Sequence, residues 1–125
     1  SLHDALPILN LLICFLAECI MLLMMKLGLL TAGQPGYLFL YWIMLYNVWF
    51  AFFNLIPVPP LDGSKILEMV LPGKLAFAFH NFSYRYSFLL LLFLVFSGMI
   101  GRIINPLAQF YTGTTIRLIA SVLQM

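Results

Sequence analysis

The chain has 125 residues, 64% hydrophobic and 8% charged, with a mean hydropathy of +1.07; against a soluble average of about 45–50% apolar and about 25% charged residues, it is an integral, multi-pass membrane protein. Six basic and four acidic residues leave a net charge of +2, too few and too scattered for the clustered basic face that nucleic acid requires. Cys14 and Cys19 share one apolar run at a spacing that fits neither a disulfide framework nor a CxxC pair. Both read as small buried hydrophobes.

Taken in chain order, the first eight residues, SLHDALPI, are polar and proline-bearing, unlike everything after them. They match the translation of a common sequencing-library adapter, so residues 1–8 are expected to be an artefact, with His3 and Asp4 excluded as a metal pair. A first span is predicted over about 9–30, long enough for the roughly 20 residues a bilayer core requires. The run TAGQPG, 31–36, supplies a turn. A second span, about 37–56, opens on Tyr37, Phe39, Tyr41 and Trp42, aromatics suited to the membrane interface. A short helix over 65–71 ends at Pro72 and Gly73. Residues 73–86 mix aromatics with Lys74, His80 and Arg85, the composition of an interfacial segment; His80 reads there as a polar tip at headgroup level. A third span is expected over about 87–106, followed by an amphipathic or re-entrant helix. The predicted fold class is therefore all-α: a polytopic transmembrane helical bundle of about three spans plus short interfacial or re-entrant helices. Glu18 lies mid-span, facing the bundle interior or reaching towards Lys26.

Lys65, Lys74 and Arg85 all fall between the second and third predicted spans, while the turn at 31–36 carries no basic residue. Short cytoplasmic loops are enriched in Lys and Arg. That connection is expected on the cytoplasmic side, with the protein in the cell inner membrane.

At its head stands FNLIPVPPLDGSK, Phe53 to Lys65. Irregular backbone at membrane depth is tolerated only where protein or a watery cavity satisfies its polar groups. Pro57, Pro59 and Pro60 ease that constraint, because they carry no N–H and hold the chain extended. The segment reads as a stiff strap ending at Asp62. A carboxylate there is a functional candidate by default, and Asp before Gly-Ser-Lys and an apolar run also fits a helix N-cap. Asn54 is similarly double: its amide suits a site, or backbone freed by Pro57.

The Asn54, Pro57, Pro59, Pro60, Leu61, Asp62 and Gly63 pattern resembles the second signature of the site-2 protease family, zinc metalloproteases that cut within membranes. In that family an N…P…LDG segment follows an earlier HExxH helix. The resemblance implies that Asp62 is the third zinc ligand beside two histidines, the fourth position being left for water, as in three-ligand catalytic sites. It implies a membrane-embedded protein substrate, a supporting role for Asn54 in orienting substrate or oxyanion, and a tight exit at Gly63.

The only histidines are His3 and His80, and neither begins an HExxH. Residues 9–125 are therefore expected to be the C-terminal part of a membrane-embedded metalloprotease core, inactive without that helix and binding Zn2+ tightly only in the complete protein. Leu9-Asn10-Leu11 resembles the middle of a Gly-Pro-x-x-Asn segment that opens a span in the family. The alternative is a non-catalytic relative serving as a membrane scaffold or transport subunit.

Overall fold

The computed structural model describes residues 5–59 and 61–125, and all the regular structure among them is helical. Two helices form an antiparallel pair: α1, Leu6–Lys26, and α2, Pro35–Asn54. Each is long and apolar enough to cross a membrane. Pro7 and Pro35 both stand in a first helical turn, where the missing N–H has no intrahelical partner to lose. Gly28, with φ of 73°, supplies the left-handed residue that lets the chain leave α1.

Packing between these helices sets small side chains of α1 against larger ones of α2. Cys14 and Ala17 of α1 meet Met44 and Val48 of α2 in a buried cluster that Ala108 joins from the last helix. Without a hydrophobic drive between helices in lipid, such close approach is what van der Waals contact requires. That last helix, α6 (Met99–Leu123), lies against both α1 and α2. Tyr111 Oη donates to the Leu11 carbonyl at 2.7 Å, Trp49 Nε1 to Asn105 Oδ1 at 3.3 Å, and Lys26 Nζ to the Leu123 carbonyl.

Between them run α3, Asp62–Val70, α4, Gly73–Arg85, and α5, Ser87–Ser97. The pair α4 and α5 is apolar enough to form a third span if taken together, bent by 74°. The third span expected over 87–106 is thus divided differently. Gly98, with φ of 75°, caps α5 in the left-handed conformation, whereas Pro106 lies inside α6. A proline costs a helix one N–H and crowds the preceding turn, but its neighbours re-satisfy such groups in membrane proteins.

Glu18 does not reach Lys26. It is fully buried in α1, with the Cys14 thiol 3.8 Å from Oε1, and Oε2 is the one buried side-chain oxygen among the described residues without a hydrogen-bond partner.

Candidate functional site

α2 ends at Asn54, half-buried, and the strap begins. Its backbone accounts locally for its own donors. The Val58 N–H bonds to the Ile56 carbonyl and the Leu61 N–H to the Val58 carbonyl, each at 2.8 Å, and prolines contribute no donor. Pro60 lies outside the described residues. Ile56, Val58 and Leu61 point inward against Ile100 and Ile104 of α6. The strap is therefore anchored by apolar burial on one side, worth about 1.5–3 kcal/mol per large side chain.

This anchoring sets where α3 starts. Leu61 is the N-cap residue, and no side chain caps the helix. The capping reading of Asp62 therefore fails: Asp62 is the first residue of the helix, where its charge favours the positive end of the dipole. Ser64, two residues on, turns inward instead, its hydroxyl donating to the Leu61 carbonyl at 2.8 Å. Gly63 is buried, and a Cβ added to it would overlap the Leu55 carbonyl. Only glycine allows the first turn of α3 to press directly on the start of the strap.

Half-buried Asp62 lines a cleft of about 660 Å³ with Pro7, Ile8, Leu11, Leu55, Lys65, Ile66, Glu68 and Met69. The walls are chiefly apolar, and the charged groups are Asp62, Lys65 and Glu68. Pro7 and Ile8 belong to the adapter-like octapeptide. Asn54 is not among the lining residues, although it directly precedes Leu55, which is. His3 and Asp4 lie outside the described residues. No cluster of three or more His, Cys, Asp or Glu side chains fit to hold a metal occurs among the described residues. The carboxylates that line the cleft are Asp62 and Glu68.

His80 is not simply a headgroup-level tip. Its Nδ1 donates to Glu68 Oε1 at 2.8 Å, joining α4 to α3. Glu68 drew no attention as sequence, because the partners are 12 residues apart on separate helices and no local pattern links them.

Helices of membrane-crossing length joined by a proline strap, with a carboxylate lining the cleft beside it, define a class: a polytopic helical membrane protein. The model of Peptidase family M50 matches residues 21–94, a stretch that takes in α2, the strap, α3 and α4 entire. The chain is also 32% identical over 123 residues to "Putative zinc metalloprotease YwhC" of Bacillus subtilis (strain 168), an alignment covering 94% of this chain and 55% of that protein. The chain belongs to peptidase family M50, the site-2 protease family, whose members are metallopeptidases. It spans about half the length of the curated relative it matches. No solved structure matches.

Proposed function

We propose that this chain is the C-terminal part of a zinc endopeptidase that cleaves membrane-embedded protein substrates, with Asp62 as one of three protein ligands to the metal. The reading is carried by Asp62 at the mouth of the 660 Å³ cleft, on a helix start that Gly63 holds against the strap. Two histidine ligands and the general-base glutamate of an HExxH helix lie outside these 125 residues, so the chain by itself is inactive. Zinc, when bound, supplies a Lewis acid and a water ionisable near neutral pH. Asp62 contributes a negative oxygen donor from a backbone already fixed. Asn54, at the end of α2 beside that wall, orients the substrate backbone or donates to the developing oxyanion, and Pro57, Pro59, Pro60 and Gly63 are its scaffold. This end faces the cytoplasm in the cell inner membrane, a reading supported by Lys65, Lys74 and Arg85, since short cytoplasmic loops are enriched in Lys and Arg.

Asp62→Ala in the intact gene product tests the assignment. Zinc-dependent cleavage of a membrane-embedded substrate is expected to disappear while insertion into membranes persists. Continued cleavage removes Asp62 from the ligand set. Reading the gene upstream tests the chain's place in the protein: an HExxH segment is expected ahead of NLLICFLAEC, and a start codon directly before SLHDALPI favours the non-catalytic relative instead.

A further inference from the structure

α3 is short, and its burial is lopsided. Its buried residues, Gly63 and Ser64, both sit in the first turn, while Met69 and Val70 at the far end are 85% and 73% exposed. A helix of nine residues is well below the roughly 12–15 at which isolated helices become even marginal. Its far half therefore needs an external hold. The helix packed against α3 is α4, and the 2.8 Å bond from His80 reaches Glu68 in that far half. Part of that bond is sheltered, since the Glu68 side chain is 23% exposed and that of His80 50%. The His80 ring also lies against Tyr84, one turn along α4, with ring centroids 4.2 Å apart. Both contacts hold the imidazole at once, one at its face and one at Nδ1.

We infer that the Glu68–His80 pair is a clasp that sets the rotation of α3 about its own axis, and thereby the position of Asp62 in the cleft that Glu68 also lines. This rests on the proposed zinc ligation by Asp62. Gly63 and Ser64 act as the pivot and the clasp as the stop. Side chains reach about 5–6 Å from a helix axis, so a rotation of about 10° carries the Asp62 carboxylate roughly 1 Å. A misplacement of that size costs about 100-fold in rate. Glu68 and His80 are positioning residues in this scheme.

The test reads α3 directly. In the intact gene product, in membranes, with Cys14 and Cys19 replaced by alanine, Ser64→Cys places a thiol at a site 1% exposed. Its labelling by a water-soluble maleimide is expected to quicken about tenfold in Glu68→Ala and in His80→Ala, the population shift that losing one hydrogen bond to a charged group permits. The double variant should label no faster than either single one, and the exchanged pair Glu68→His with His80→Glu should restore slow labelling. Zinc-dependent cleavage should fall by up to about tenfold in the same single variants, the limit set by that population shift, and recover in the exchanged pair. Unchanged labelling in both single variants, or additive effects without recovery on exchange, overturns the clasp. If the wild-type product shows no zinc-dependent cleavage but labelling follows the pattern, the protease reading fails and the clasp stands.

Discussion

Replacing Gly63 with alanine puts a methyl group where the Leu55 carbonyl already lies. The obstacle is backbone, so no side chain can rotate away to make room. Strap and helix must part by roughly 1 Å or more to reach an ordinary contact, and overpacking of this kind costs about 1–3 kcal/mol. For a chain of about 150–250 residues each kcal/mol lowers Tm by about 2–4 °C, so a fall of about 2–12 °C is expected for the intact protein in detergent. The same separation displaces Asp62, so zinc-dependent cleavage should drop by about 100-fold. Gly73→Ala is the matched control. A Cβ at Gly73 meets nothing within 4 Å, and alanine is the better helix former by about 1 kcal/mol at most, so Tm and cleavage should hold or rise slightly. If Gly63→Ala matches the wild type in both measurements, the close approach does not position Asp62.

Two further substitutions probe what holds the strap and the bundle. Ile104, fully buried beneath Ile56, Val58 and Leu61, should cost about 2–5 kcal/mol when cut to alanine, seen as a lower Tm together with faster proteolytic nicking at the strap. Tyr111→Phe removes the bond to the Leu11 carbonyl and should cost about 0.5–1.5 kcal/mol; an unchanged Tm would show that this bond adds nothing to the union of α1 and α6.

The two long spans were legible because continuous apolarity is a property of composition, which tertiary context has little power to reverse in a bilayer. The strap was legible for a covalent reason: three prolines remove three donors whatever surrounds them. Asp62 stood out as a charge in a chain with four acidic residues, yet its local sequence also suited a cap, and only the position of Leu61 at the N-cap sets that role aside. The third span expected over 87–106 was divided elsewhere. Pro106, at the end of that expected span, sits within α6, while Gly98 ends α5 through a positive φ that sequence does not display. Glu68 and His80 were illegible as a pair, since their meeting depends on how the chain folds back at Pro72.

The order in which the chain is made bears on the tie between Tyr111 and Leu11, which spans 100 positions, and on that from Lys26 to Leu123, which spans 97. Synthesis delivers α1 and α2 first, so the earliest helices of this segment wait, incompletely joined, until its last one arrives. Closing contacts of such long range form late, after the entropy of a large loop has been overcome. Assembly of these helices is thus decided by α6, and a stall or deletion within it would leave the earlier helices inserted in the membrane but unsecured.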